Sequence, residues 1–461
     1  MSDRPDTGLH LIDAKTDSQE QPLGRRDFLR SGLAVTAGAA IASSSSFVTT
    51  TAKAQTPIKS KARILVLGAG AAGLACIARL SKALTGADIA VIDKRQDHYY
   101  QPGYTLIASG IKPTSYVVSR TSDYIPEGVR WLNDTALAID PEARTVQTGS
   151  GQTLGYDFLV VATGLELHYD GIEGMDTRRI GEKGLGSIYA SAESAEKTWK
   201  AMSRFADRGG TGLFGRPAGE MKCAGAPLKY SFITDDILRR RGRREQSELV
   251  YMSHSNALFG VPIVAEKVRM LFEQRGIKVN DFHVLTGIDI DRQVARYNTP
   301  NGMQERQYDF INVVPPMRAP EVIRNSSLKW QQGAWALDGW VEVDPASLRH
   351  RRYSNVFAVG DVAGVPKGKT AASVKWQAPV VVDQILADIQ GRESLLAYNG
   401  YTSCPLITKL GRAMLIEFDY KNNLVPSFPG VIAPLEELWV SWVMKTMALK
   451  PTYISMLRGM A

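Results

Sequence analysis

"ARILVLGAGAAGLACIARLSK" (residues 62–82) decides how this chain folds. Ile64, Leu65, Val66 and Leu67 form an unbroken apolar run, the pattern of a parallel strand buried on both faces. Gly68, Gly70 and Gly73 follow as G-x-G-x-x-G and lead into a helix. The second glycine lets the backbone approach a pyrophosphate, and the helix N-terminus offers free N–H groups and a positive dipole end. A second strand, "DIAVIDKR" (residues 88–95), then brings Asp93 to where a carboxylate takes both hydroxyls of an adenosine ribose, with Lys94 beside it. The whole strand–loop–helix–strand–acid unit predicts dinucleotide binding.

Two later segments choose FAD as that dinucleotide. "YDFLVVATG" (residues 156–164) is an apolar strand ending in Thr163 and Gly164, and "NVFAVGDVAG" (residues 355–364) is another, carrying Gly360 and Asp361. A carboxylate would repel phosphates, so Asp361 is expected to accept hydrogen bonds from sugar hydroxyls beside backbone N–H groups that serve the phosphate.

A second α/β unit lies between these segments. "GTGLFGRPA" (residues 210–218) is a strand and loop, "SELVYMSH" (residues 247–254) a strand, and "PIVAEKVRMLFEQRG" (residues 262–276) has helical spacing at Ile263, Val264, Val268, Leu271 and Phe272. In a pyridine-nucleotide reductase the first loop would be glycine-rich. Here it is "GRPAGEMKCAGAP" (residues 215–227), whose Pro217 and Met-Lys-Cys run build no pyrophosphate cradle. The second unit is read as having exchanged its nucleotide for a thiol, Cys223. Lys222 and a helix starting after Pro227 would both favour its thiolate.

With 461 residues the chain is too long for one simple core. A net charge of +8 favours anionic partners such as HS⁻, a lipid headgroup or an acidic electron carrier. Nucleic acid is disfavoured, because the densest basic patch, "RRRGRRE" (residues 239–245), reads as a solvated helix end. Three widely spaced cysteines make neither a disulfide framework nor a zinc site, and the histidines show no metal spacing. Cys76, inside the first helix, reads as packing. At the N-terminus, "GRRDFLRSG" (residues 24–32), an Ala/Gly/Ser-rich apolar run and Ala52-x-Ala54 read as a twin-arginine leader over residues 1–54. Export to the periplasm with cofactor already bound follows as an expectation.

The chain resembles the sulfide:quinone oxidoreductase family, on the branch of the mitochondrial enzymes, with the flavoprotein of flavocytochrome c sulfide dehydrogenase more distant. The matching stretches run from residue 61 onward and include "DHYYQPGYTLIASG", "AEKTWKA", "KCAGAP", "ALFGV", "VVPPM", "GWVEVD", "LRHRRYSNVFAVGD", "GKTAASV" and "YTSCPL…EFDY". The resemblance implies sulfide oxidation through two cysteines facing the flavin, with a quinone as acceptor. Cys223 matches the first cysteine. The second is expected directly after the Gly-Asp turn, where this chain has Val362. Three readings stand: Cys404 takes the partner role; Cys223 works alone; or the chain has left sulfide chemistry for another quinone-linked donor or a scaffold role, with Cys223 a small buried hydrophobe.

The resemblance also implies roles for Lys369, a cation near the flavin's pyrimidine edge, and for Gln101 beside the adenosine-to-flavin stretch. Glu166 is a candidate proton relay. No cysteine follows Asp93, so FAD is expected to bind noncovalently. The C-terminal "LEELWVSWVMKTMALKPTYISMLRGMA" (residues 435–461) is rich in Trp and Met, interrupted by Lys445 and Lys450, and divided by Pro451. Neither piece is long enough to span a bilayer, and the composition suits a helix lying in the interface. The expected architecture is α/β: an FAD-binding Rossmann domain over 61–175 and 310–395, a Rossmann-like domain over 176–309 without its nucleotide, and a C-terminal region over 396–461 with amphipathic membrane-contact helices. Periplasmic location on the inner membrane, reduced sulfur as donor, quinone or a c-type cytochrome as acceptor, and no metal complete the expectation; the sequence leaves the oligomeric state open.

Overall fold

A computed structural model describes residues 56–461; the stretch expected to be a twin-arginine leader lies outside the described residues. From there the chain runs β1 (Arg63–Leu67), α1 (Ala71–Ala83), β2 (Asp88–Ile92), β3 (Arg130–Leu132) and β4 (Phe158–Val161). Next come β5 (Leu185–Gly186), α2 (Ala192–Arg208), β6 (Gly210–Gly215), α3 (Ala226–Arg240) and β7 (Ser247–Met252). These lead into α4 (Pro262–Gln274), β8 (Ile277–Asn280) and β9 (Phe310–Asn312). The chain returns through β10 (Val356–Ala358) and α5 (Ala371–Gln390) and closes with β11 (Thr402–Lys409), β12 (Arg412–Phe418), α6 (Trp439–Val443) and α7 (Leu449–Leu457).

Two parallel sheets result. The first has the order β10–β4–β1–β2–β3, which puts β1 at its centre. Ile64 to Leu67 are accordingly at most 3% exposed, as their unbroken apolar run requires. The second has the order β5–β9–β6–β7–β8. An antiparallel three-stranded sheet is inserted in each unit, from Ala136–Asp140 onward and from Val284–Asp289 onward. Cys76 is fully buried in α1, as expected of a packing residue, and burial pushes its thiol up to about 12.

Two expectations need correcting. The boundary at residue 310 falls too early, because Phe310–Asn312 pairs with β5 and β6 and completes the second sheet. An apolar strand carries no address, so its sequence fits either sheet equally well. Nor does Pro451 divide the C-terminal segment. Residues 439–457 are continuously helical, with a π turn at Met444–Ala448. Proline lacks an N–H, and the widened turn admits it near the start of α7 without breaking the run.

That helical run has two faces. Ser441, Lys445, Tyr453, Met456 and Leu457 are buried, while Trp439, Val440, Met447 and Met460 are exposed. Its inner face is tied down: the Tyr453 hydroxyl hydrogen-bonds His98 Nε2 at 2.7 Å, and Lys82 Nζ donates to the Arg458 carbonyl at 2.6 Å. Among the described residues no helix is long and apolar enough to cross a membrane.

Candidate active site

The first sheet builds a cradle at its carboxyl edge. Gly68 adopts φ +99°, and a Cβ there would lie 2.6 Å from the Ala162 carbonyl oxygen. At Gly73 a Cβ would lie 1.8 Å from the Gly68 carbonyl oxygen, so the turn and α1 close only around glycine. Gly70 is different. A Cβ on it would meet only Arg95, at 3.7 Å, which leaves the backbone open to a ligand. Gly70 also caps α1 without any side-chain hydrogen bond, so the N–H groups of the first turn point into that space.

The other sequence-predicted cofactor residues converge there. Thr163 Oγ1 is buried with no protein partner, and Gly164 (φ +72°) faces open space. A Cβ on Gly360 would touch the Ala72 Cβ at 3.1 Å, which places the Gly-Asp turn against the first turn of α1. Gln377 of α5, wholly buried, fixes that turn by accepting the Gly360 N–H at 2.8 Å. Burial raises the Asp361 carboxyl above its ordinary range, with Lys222 and Lys369 pulling the other way. Asp93 ends β2 and accepts the Ala69 N–H at 2.7 Å, but its oxygens also accept from Arg95 at 2.6 and 3.0 Å. A ribose there meets Arg95 as well as Asp93. Lys94, the predicted neighbour, is exposed instead. An unpartnered buried hydroxyl, an uncapped helix and a glycine that keeps space open all fit a dinucleotide.

The second sheet builds something else. Between β6 and α3, Cys223 sits half-buried at φ +47°, a left-handed conformation unusual for a side chain with a Cβ. Its N–H donates to the Lys369 carbonyl at 3.0 Å, and its own carbonyl accepts from Tyr189 Oη at 3.0 Å and from the Ala226 N–H at 2.8 Å. Cys404, in β11, comes to the same place. A Cβ on Gly225 would lie 2.3 Å from Cys404 Sγ, so the glycine preceding α3 makes room for that sulfur.

The two sulfurs, both free thiols here, hydrogen-bond each other. The bond to Cys404 holds the Cys223 thiol well below its usual range against the opposing effect of burial, and Lys229 and Lys445 assist. Cys404, the donor of that bond and itself buried, is held well above its usual range. Lys229 Nζ stands 3.6 Å from Cys223 Sγ, and α3 presents its N-terminus alongside. Of the pair, Cys223 is therefore the thiol that ionises more readily.

Of the three readings, this is the arrangement the first one expects: Cys404 stands beside Cys223. Val362 is fully buried core, and the sulfur expected after the Gly-Asp turn arrives from β11 instead. Lys222, expected to activate the thiol, reaches away to Gln101 Oε1 at 2.6 Å. Lys369 is 5% exposed, lies over the Trp340 ring at 3.7 Å and donates to the Asp361 and Ala363 carbonyls at 2.7 and 3.1 Å. Burial lowers its ammonium to about 8. It thus links the Gly-Asp turn to the thiol loop. Glu166, the candidate proton relay, is held in ion pairs: its oxygens accept from Arg318 at 2.6 Å and Arg324 at 3.1 Å. Among the described residues no cluster of potential metal ligands occurs.

Sequence reasoning missed Lys229, Lys445, Tyr189, Arg95 and Gln377. Lys229 lies among the apolar residues of "APLKYSFI", and a lysine in such a face was a usable signal of a buried charge. Lys445, expected at the membrane interface, is 3% exposed and donates to the Pro102 carbonyl at 2.8 Å.

Residues 62–212 match the pyridine nucleotide-disulphide oxidoreductase family. The mitochondrial sulfide:quinone oxidoreductase of Mus musculus is 33% identical over 374 residues, covering 80% of this chain and 81% of its own. That of Dictyostelium discoideum is 35% identical over 378 residues, covering 82% of each. The solved sulfide:quinone oxidoreductase of Aquifex aeolicus has the same fold, with a TM-score of 0.73, 24% identity, and coverage of 86% of this chain and 92% of that one.

Proposed function

The chain belongs to the sulfide:quinone oxidoreductase family, and from that membership we propose that it oxidises sulfide at the Cys223–Cys404 pair and delivers the electrons through FAD to a quinone. Members of the family bind FAD, and it is as FAD-dependent oxidoreductases that they act. The observation that carries the proposal is the Cys404 sulfur against Cys223 at the start of α3.

Gly68, Gly70, Gly73, Asp93, Thr163, Gly164, Gly360 and Asp361 would hold the FAD. When bound, it supplies a two-electron acceptor between the thiols and the quinone. The chain's own residues set the order of events at sulfur. In the oxidised form the two cysteines are joined by a disulfide. Thiol–disulfide exchange expels the sulfur of lower pKa more readily. Sulfide therefore adds to Cys404 Sγ, the S–S bond breaks, and its electron pair leaves on Cys223 as thiolate. Cys404 is left carrying a persulfide. Lys229 holds the Cys223 thiolate, and the contact of the Cys223 N–H with Lys369 fixes the loop beside the Gly-Asp turn.

The proposal extends to location. The twin-arginine leader would carry the protein to the periplasm, and the outward Trp439, Val440, Met447 and Met460 would seat it on the inner membrane, within reach of quinone. A c-type cytochrome is the alternative acceptor on that side. Rapid mixing with anaerobic sulfide tests the chemistry: the visible flavin band should bleach in wild type and persist in Cys223→Ser and Cys404→Ser. Bleaching at the wild-type rate in either variant would remove the pair from the reaction.

A further inference from the structure

Two buried lysines that the sequence did not announce converge on the sulfurs. Lys229, near the start of α3, is 2% exposed, with its Nζ 3.6 Å from Cys223 Sγ. Lys445 enters from the π turn of the C-terminal helix and is 3% exposed. Both interact with Cys223 and Cys404, and Lys229 also acts on Lys445. No carboxylate among the described residues pairs with either ammonium.

Buried charges need counter-charges, and the count here depends on the redox state. When the cysteines are joined as a disulfide, both sulfurs are neutral and two ammoniums face no anion. One HS⁻ brings a single negative charge. After it adds to Cys404 and the disulfide electron pair leaves on Cys223, the charge is unchanged: one thiolate and one protonated persulfide. Release of the persulfide proton to water makes a second anion, and two negative charges then face two ammoniums. Resting on the function proposed above, we infer that Lys229 and Lys445 form an anion-recognition pair that selects HS⁻ over H₂S at the oxidised cysteines and then holds the thiolate and persulfide it generates.

The two members differ in how they titrate. Burial pulls Lys229 down, but the two sulfurs more than offset it and its ammonium is held above the ordinary range. Lys445 is drawn down to about 7 by burial and then by the charge of Lys229. The groups that face it are Lys229 from α3, Cys223 from the loop and Cys404 from β11. Tyr100, Tyr189, Lys222 and Asp361 are the further groups that feel charge at Cys223. The sign follows: Lys445 is cationic below its pKa and neutral above it. As pH rises, HS⁻ becomes more abundant while the pair loses one charge. A plot of kcat/KM for sulfide against pH therefore falls on its alkaline side, with a midpoint no higher than about 7.

The test uses the FAD-loaded full chain, with flavin content as the check on folding. Lys445→Met and Lys229→Met should each raise the KM for sulfide about tenfold or more, with kcat less affected. Lys445→Arg, whose guanidinium stays charged, should keep the wild-type KM and lose the alkaline fall. A KM within twofold of wild type in both Met variants overturns the inference, as does an alkaline limb that survives in Lys445→Arg. Iodoacetamide alkylation of the reduced enzyme, without sulfide, separates this from the underlying reading. Its inflection should move up by about one to three pH units in Lys229→Met. That shift reads the lysine–thiolate contact itself, whereas bleaching by sulfide in Cys223→Ser would defeat the dithiol chemistry and leave the shift standing.

Discussion

The two parallel sheets use one plan, strand to loop to uncapped helix, for opposite purposes. After β1 the loop is made of glycines whose side-chain-free backbone leaves space at Gly70 for a phosphate. After β6 the loop carries Met221, Lys222 and Cys223 in place of such glycines. The first helix N-terminus serves a ligand; the second serves a thiolate. The comparison teaches that the polarity of a helix start is retained while its client changes. It also shows where the second site needed help. The glycine cradle is built almost within one local unit. The thiol site draws Cys404 from β11, Lys369 from before α5 and Lys445 from the C-terminal helix.

The comparison can be broken at either loop. The largest effect is expected from Gly73→Val, which would drive its side chain into the Gly68 carbonyl, 1.8 Å from the ideal Cβ position. FAD should be lost and soluble yield should collapse; a Gly73→Val protein with full flavin content would show that the cradle is not where we place it. Gly225→Ala comes next. Its Cβ would lie 2.3 Å from Cys404 Sγ, so the sulfur must shift while the FAD cradle stays intact. Sulfide turnover should fall by about ten- to hundredfold at unchanged flavin content, as for other ångström-scale displacements of reacting groups. Equal losses of flavin and turnover would mean that the two loops are not separable.

Smaller effects sharpen the contrast. Glu166→Gln removes a partly exposed ion pair with Arg318 and Arg324, and stability should change by about 0–1 kcal/mol with turnover within about twofold. A much larger loss of turnover would restore Glu166 as a proton carrier. The smallest is a null result. NADH should not bleach the flavin, because the loop after β6 offers no pyrophosphate cradle. Rapid bleaching by NADH would erase the distinction between the two sheets.

The first site was largely legible in the sequence because its signals are local. Glycine spacing, an apolar run and a carboxylate at the next strand end lie within a few turns of one another, and each has its own steric or electrostatic reason. Cys223 was legible as a thiol in an unexpected loop. Its partner was legible only as one of three readings: Cys404 lies in a strand whose neighbours are apolar, and only the packing of the β11–β12 hairpin under α3 brings it in. Lys445 was misread for the same reason. A lysine in a Trp- and Met-rich helix looks alike whether it faces headgroups or a buried sulfur. Phe310–Asn312 could not be assigned to a sheet, because strand pairing is decided by partners far away in the chain.

The backbone at Cys223 carries one last implication. A left-handed φ of 47° is a geometry that glycine adopts freely and that costs a residue with a Cβ about 1 kcal/mol or more. Judged by folding alone, glycine is the better occupant, and drift toward greater thermal robustness would erase the nucleophile in a single step. The sulfur is retained against the preference of its own main chain.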